Sequence, residues 1–124
     1  MRTSKISPIV YPGLDVKPSD VDLANFLASV ATHHSVTVQR ILSPSREQLL
    51  VEIRQCVWYI LYEREKKNYS RIGRQFGRDH ATVLYGVKKI HNLIGIGDRQ
   101  ITDLMNTILF IYKNVKHYEQ TKND

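Results

Sequence analysis

Apolar residues recur every three to four positions along most of the chain, which is the periodicity of amphipathic helices. The clearest run predicts a long helix over residues 46–66, with Ser45 as its N-cap and Gln48 completing a capping box. The expected buried stripe of this helix is Leu49, Leu50, Ile53, Val57, Ile60 and Leu61. Upstream, a helix capped by Ser19 is expected to end near His33-His34, followed by a short helical segment around residues 36–42.

The second half of the chain predicts two helices joined by a tight turn, and then a last helix. Asn68 can cap residues 69–76, Gly77 stands where a left-handed residue ends a helix, and Asp79 can cap a helix that runs to about Ile94. The last helix is expected from Asp98 to about Val115.

No segment alternates with the period of a strand, so the sequence predicts an all-α bundle of about six helices. Residues 1–17 contain Pro8, Pro12 and Gly13, and are expected to form an extended N-terminal arm. Residues 18–115 are expected to form one domain, and residues 116–124 a polar tail.

Positive charge is concentrated in one part of this pattern. The chain has 18 Lys and Arg against 12 Asp and Glu, a formal net charge of +6. Between Arg64 and His91, eight basic residues stand against only Glu65 and Asp79, whereas the rest of the chain is balanced. A local excess of this kind is typical of a surface that binds a polyanion, although a merely solvated basic face is the alternative.

Several classes of protein are disfavoured by what the sequence lacks. No apolar run approaches the roughly 18 to 20 residues that span a bilayer, and the N-terminus leads into no apolar signal region. Cys56 is the only cysteine, and we interpret it as a small buried side chain rather than a nucleophile. His33-His34 has no further ligands at metal spacing. We therefore expect a cytoplasmic, nucleoid-associated protein that is not an enzyme and has no metal, cofactor or membrane contact.

Two short helices separated by a turn of three or four residues that includes glycine are typical of a helix-turn-helix. In such proteins the N-terminal part of the second helix enters the major groove of DNA. Here the recognition helix would span about residues 79–94. Its first side chains suit base edges, because carboxylate and imidazole groups can hydrogen-bond to bases and methyl groups can pack on thymine. These candidates are Asp79, His80, Ala81 and Thr82.

The same segment resembles a known family. Residues 71–85 read RIGRQFGRDHATVLY and are followed by Lys88-Lys89-Ile90, which is similar to the signature I-G-x-x-F-G-G-R-D-H-T-T-V of the C-terminal DNA-binding domain of the bacterial replication initiator DnaA. Residues 36–43 (VTVQRILS) and 51–55 (VEIRQ) resemble upstream parts of that domain, so the resemblance covers about residues 18–112. It implies a helix-turn-helix bundle of the Trp-repressor and DnaA domain IV type.

The resemblance also implies roles for individual residues. Asp79, His80, Ala81 and Thr82 would read bases in the major groove, and Arg46 would enter the minor groove, where narrow A·T-rich DNA concentrates negative potential. The implied and candidate phosphate contacts are Arg54, Gln55, Ser70, Arg71, Arg74, Arg78, Lys88 and Lys89. The chain departs from the signature by having one glycine before Arg78, so the turn is one residue shorter, and by having Ala81 in place of a threonine.

No G-x-x-x-x-G-K-[ST] phosphate loop occurs, so no nucleotide is expected as a partner. The sequence thus predicts a stand-alone, initiator-like domain that binds double-stranded DNA and regulates replication or transcription without an ATPase. The alternative is a protein-interaction module of the same fold, binding a partner or forming a homodimer through its C-terminal helix. The face considered for that contact is Ile101, Ile108, Leu109, Tyr112 and Val115.

Overall fold

The computed structural model describes residues 21–122, with side chains described for residues 23–117. This part of the chain is folded entirely into helices and the loops between them. The helices are α1 (Val21–His33), α2 (Val38–Leu42), α3 (Gln48–Glu63), α4 (Tyr69–Phe76), α5 (His80–Gly95) and α6 (Arg99–Lys122). The predicted all-α class is therefore confirmed. The predicted arm at residues 1–17 and the cap at Ser19 lie outside the described residues.

Helix α3 is the centre of the bundle, because it packs against α2, α4, α5 and α6. Its apolar residues are buried on more than one side, and one continuous core joins all six helices. Edge-to-face aromatic pairs connect neighbouring elements: Phe26 of α1 meets Tyr112 of α6 at 5.5 Å between ring centroids, and Trp58 of α3 meets Phe76 of α4 at 6.0 Å. The core thus fixes the positions of α4 and α5 relative to α3.

The beginning of α3 differs from the prediction. The helix starts at Gln48 rather than at residue 46, and its N-cap Glu47 makes no side-chain capping bond. The Ser45 hydroxyl instead accepts the amide of Glu47 at 3.1 Å, so the predicted capping box does not form. Leu49, expected in the buried stripe, is 40% exposed. The hydroxyl of Ser45 closes a turn before the helix, which shortens α3 at its start.

Helix α6 is longer than predicted. It begins close to the predicted position, where Asp98 Oδ1 accepts the amide of Ile101 at 2.9 Å, but it continues to Lys122 rather than ending near Val115. Ile101, Ile108 and Tyr112 are buried in the domain's own core. Three of the five residues considered for a dimer contact are therefore already occupied by intramolecular packing.

Candidate nucleic-acid interface

The helix-turn-helix consists of α4, the turn Gly77-Arg78-Asp79 and α5. Gly77 has φ 67°, in the left-handed region that favours glycine. Its amide donates to Arg74 O, and the amide of Arg78 donates to Gly73 O at 2.8 Å. This pair of hydrogen bonds is a Schellman motif, which satisfies the last carbonyl groups of α4. A single glycine is thus sufficient to end α4, and the next helix begins after three residues.

Two further glycines allow the helices to approach closely. A Cβ atom on Gly73 would lie 2.4 Å from the carbonyl oxygen of Arg78 in the turn. A Cβ atom on Gly86 would lie 2.9 Å from Cε3 of Trp58 on α3. Both distances are shorter than real Cβ contacts, so a side chain at either position would require neighbouring atoms to move. Glycine at these positions therefore sets the angle between α4 and α5 and seats α5 directly on α3.

The four predicted base-reading residues lie at the start of α5. Asp79 is the N-cap, with its Oδ1 accepting the amide of Thr82 at 3.0 Å. That backbone hydrogen bond is the main cause that lowers the pKa of Asp79. Asp79, His80, Ala81 and Thr82 are all exposed. The capping role that the sequence predicts for Asp79 is confirmed, and one carboxylate oxygen is engaged within the helix end.

A cleft of about 260 Å³ separates the start of α5 from the loop that precedes α3. We call it the α3–α5 cleft; it is lined by Pro44, Ser45, Arg46, Val51, Arg54, Gln55, Trp58, Arg78, Thr82 and Tyr85. Arg46, which is exposed, and Thr82 line the same cleft although 36 residues separate them in the chain. The cleft therefore brings the candidate minor-groove arginine close to the candidate major-groove helix.

Arg54 and Arg78, expected as phosphate contacts, are engaged with the protein's own backbone. Arg54 is buried; its Nε donates to Ile41 O and its Nη2 to Ser45 O, the latter at 2.8 Å. Burial, and secondarily the positive charge of Arg78, lowers the pKa of Arg54 to about 10, so the group stays protonated at neutral pH. Burial also lowers the pKa of Arg78.

Of the remaining predicted phosphate contacts, all but Gln55 lie outside the lining of the cleft. Ser70, Arg71 and Arg74 are exposed on α4, and the amide of Arg71 donates to the side chain of the N-cap Asn68 at 2.8 Å. Lys88 is exposed and Lys89 half-buried on α5. These basic groups follow the two helices of the helix-turn-helix, whereas Gln55 is buried on α3 beside the cleft.

Tyr85 and Trp58 line the cleft but are not among the predicted contact residues. Tyr85, one turn after Thr82, is 66% exposed. Gln55 Oε1 and Trp58 Nε1 are buried polar atoms without a hydrogen-bond partner in the described part of the chain. The periodicity of α3 predicts that Trp58 is on a helix, but it does not predict that its indole lines a polar cleft.

The fold and this site together define a class of protein: a helix-turn-helix domain with an arginine-bearing loop beside its second helix. The model of the family described as "Bacterial dnaA protein helix-turn-helix" matches residues 24–90. Because this match covers more than half of the 124 residues, the chain belongs to the bacterial DnaA helix-turn-helix family. The resemblance drawn from the sequence is thereby confirmed.

The chain is also similar to curated replication initiators. It is 36% identical over 87 residues to the chromosomal replication initiator protein DnaA of Rhizobium johnstonii, covering 69% of this chain. It is 34% identical over 89 residues to the DnaA of Brucella abortus, covering 71% of this chain. The DnaA of Agrobacterium fabrum is 40% identical over 73 residues, or 58% of this chain. The matches span only 15% to 18% of these relatives' own length.

Two further findings concern other kinds of site. Among the described residues, no helix combines the length and the apolar character needed to cross a membrane. Over the same part of the chain, His, Cys, Asp and Glu side chains form no group of three that could hold a metal ion.

Proposed function

We propose that this domain binds double-stranded DNA with sequence preference, through the start of α5 and the loop before α3. The observation that carries the proposal is the α3–α5 cleft, which joins exposed recognition residues to Arg46 and to two further arginines. Within residues 23–117, no carboxylate forms an ion pair with Arg54 or Arg78. Two neighbouring positive charges that no acidic side chain neutralises favour a polyanionic partner.

The start of α5 supplies the base contacts in this proposal. His80 and Thr82 are exposed donors or acceptors, Ala81 offers a methyl group, and the second oxygen of Asp79 can accept from a cytosine amino group. Arg46 would insert into the adjacent minor groove, where its charge is favoured in A·T-rich sequence. Since Ala81 keeps a methyl group but lacks the hydroxyl of the threonine in the family signature, we expect a preference that differs from that of the family signature at the base facing this residue.

The phosphate contacts would come from both helices of the motif. Ser70, Arg71 and Arg74 on α4 and Lys88 and Lys89 on α5 are exposed or half-buried. The other predicted phosphate contacts, Arg54, Gln55 and Arg78, line the cleft, where both arginines donate to backbone carbonyl groups. Each phosphate neutralised by a basic side chain releases counterions, so affinity should fall steeply as salt rises.

The biological role that we propose is regulation of replication or transcription by occupying sites. The matched relatives are chromosomal replication initiators in which this segment is under a fifth of the chain. In this role the domain acts in the cytoplasm on nucleoid DNA and competes for its binding sites.

The test is a selection from random duplexes with the unaltered protein, followed by a salt series on the selected duplex. A consensus sequence and an affinity that falls steeply between about 50 and 200 mM salt would support DNA recognition. His80→Ala should relax the consensus at one or two adjacent positions while the protein remains folded. If no duplex is enriched at low salt, DNA binding is not the function. If His80→Ala leaves the consensus unchanged, α5 does not read bases through this residue.

A further inference from the structure

Arg78 links the turn of the helix-turn-helix to the loop before α3. Its Nη2 donates to Ser43 O at 2.8 Å, and its Nη1 donates to Leu42 O at 3.2 Å and to Phe76 O at 2.9 Å. Leu42 and Ser43 are 35 or 36 residues away in the chain, whereas Phe76 is the last residue of α4. One guanidinium thus bonds the end of α2, the start of the loop and the end of α4 at once.

Arg54 bonds the same loop from the other side. It donates to Ile41 O and Ser45 O, so the two arginines together use the carbonyl groups of Ile41, Leu42, Ser43 and Ser45. Arg46 directly follows Ser45 in the chain. The path from the recognition helix to Arg46 therefore runs from Asp79, the N-cap of α5, through Arg78 to Ser43 and on to Arg46, without crossing the apolar core.

The planar guanidinium explains why an arginine occupies this position. Its fork presents N–H groups in fixed directions, so several carbonyl groups can be held in one geometry, which the single ammonium of lysine does not match. The three hydrogen bonds occupy most of the donor capacity of Nη1 and Nη2, and the Arg78 side chain is half-buried. This geometry favours a connection within the protein over a contact made chiefly with DNA.

We infer that Arg78 is a positioning residue that holds Arg46 in register with the recognition helix, so that one duplex meets the minor-groove arginine and α5 together. The inference rests on the proposed function and deepens it. On this account Arg78 contributes to affinity through Arg46. The competing account is that Arg78 neutralises a phosphate directly.

A double-mutant cycle separates these two accounts. Arg46→Ala, Arg78→Gln and the double variant would be titrated with the selected duplex by fluorescence anisotropy, after circular dichroism shows that each is folded. Loss of Arg46 should weaken binding about tenfold, as for one base-contacting side chain. Arg78→Gln should cost a similar factor when Arg46 is present and less than about twofold when it is absent, because two residues that act as one unit are not additive.

Lys88→Ala is the matched control for a phosphate contact, because Lys88 is exposed in the middle of α5 and does not line the cleft. It should weaken binding by the same factor whether or not Arg46 is present, and it should reduce the slope of log affinity against log salt by about 0.9. Arg78→Gln can be compared with Lys88→Ala in the Arg46→Ala background. If it too weakens binding by the same factor as when Arg46 is present, and also reduces the salt slope, then Arg78 is a phosphate contact and the positioning role is wrong.

Arg78→Lys keeps the charge and removes the fork, and it replaces Arg78→Gln if that variant does not fold. A positioning role predicts that lysine restores less than half of the lost log affinity. A phosphate role predicts that lysine restores most of it, with the wild-type salt slope.

A measurement without DNA distinguishes a failure of the inference from a failure of the proposed function. The loop amides of Ser45 and Glu47 donate to the hydroxyl groups of Ser43 and Ser45, at 3.3 and 3.1 Å. In Arg78→Gln or Arg78→Lys, hydrogen exchange at these amides should become faster by a factor about tenfold larger than the change at amides in the core of α3. If hydrogen exchange at these amides is unchanged, Arg78 does not hold the loop, and the inference is wrong even if DNA binding is established. Faster exchange in a protein that binds no duplex would overturn the proposed function and, with it, the role of Arg78 in DNA binding.

Discussion

Gly73→Ala tests whether the close approach of α4 to the turn determines the geometry of the helix-turn-helix. Glycine 73 is buried, and a Cβ atom there would lie 2.4 Å from the carbonyl oxygen of Arg78 and 3.4 Å from its carbonyl carbon. Since an ordinary contact between these atom types is about 3.3 Å or more, the turn must move by about 1 Å. The obstructing atom belongs to the backbone, so no side-chain rotation can relieve the clash.

The magnitude is set by two opposing effects. Alanine gains about 1 kcal/mol over glycine inside a helix. Overpacking in a dense interior costs about 1 to 3 kcal/mol, and a backbone obstruction belongs at the upper end of that range. The net loss should therefore be about 2 kcal/mol in the free energy of unfolding. For a folded unit of about 100 residues this corresponds to a fall of roughly 10 °C in Tm.

The assay is thermal and urea unfolding followed by circular dichroism, with Gly95→Ala as the matched control. Gly95 is also helical, but a Cβ atom there would meet nothing within 4 Å. The control should be as stable as the wild type or up to about 1 kcal/mol more stable. If Gly73→Ala is as stable as Gly95→Ala, the close approach does not constrain the turn and the reasoning is refuted.

Two further predictions concern the interface and the core. Lys88→Ala should weaken binding to all duplexes by about the same factor and make the salt dependence shallower, which a titration series at several salt concentrations would measure; an altered consensus would contradict the phosphate assignment. Burial is the main cause that raises the pKa of Cys56 to about 12, so the thiolate required for alkylation is scarce at pH 8 and labelling of the folded protein by iodoacetamide should be slow. Labelling should become fast in urea at the unfolding midpoint, and rapid labelling of the folded protein would show that Cys56 is not buried.

Much of the fold could be predicted from local patterns. Asn68, Gly77 and Asp79 were expected to cap or end helices, and the structure confirms all three. These signals are readable because a cap acts on groups only two or three residues away. The prediction from local sequence was wrong at Ser45, which has two possible partners nearby. Its hydroxyl accepts the loop amide of Glu47 rather than an amide inside α3.

The C-terminal helix shows a second reason for error. Its apolar stripe weakens after Val115, so the pattern predicted an end that the structure places at Lys122. A polar helical turn carries no periodic apolar signal, because nothing requires it to face a core. The same helix has Phe110, which is 66% exposed, between buried residues Ile108 and Tyr112. Its sequence position beside buried residues does not reveal that exposure without the packing of α6.

The sequence by itself determined the helix-turn-helix, its family and the exposed residues at the start of α5, because helix caps, periodicity and a contiguous motif are local properties of the chain. Only the tertiary structure decided what Arg54 and Arg78 contact. Both are cationic residues in a basic region, and composition alone assigns such residues to a DNA backbone. Apart from Phe76 O, which accepts from Arg78, their partners are carbonyl groups 9 to 36 residues away in the chain, which the packing of α2 against α3 brings within hydrogen-bond distance.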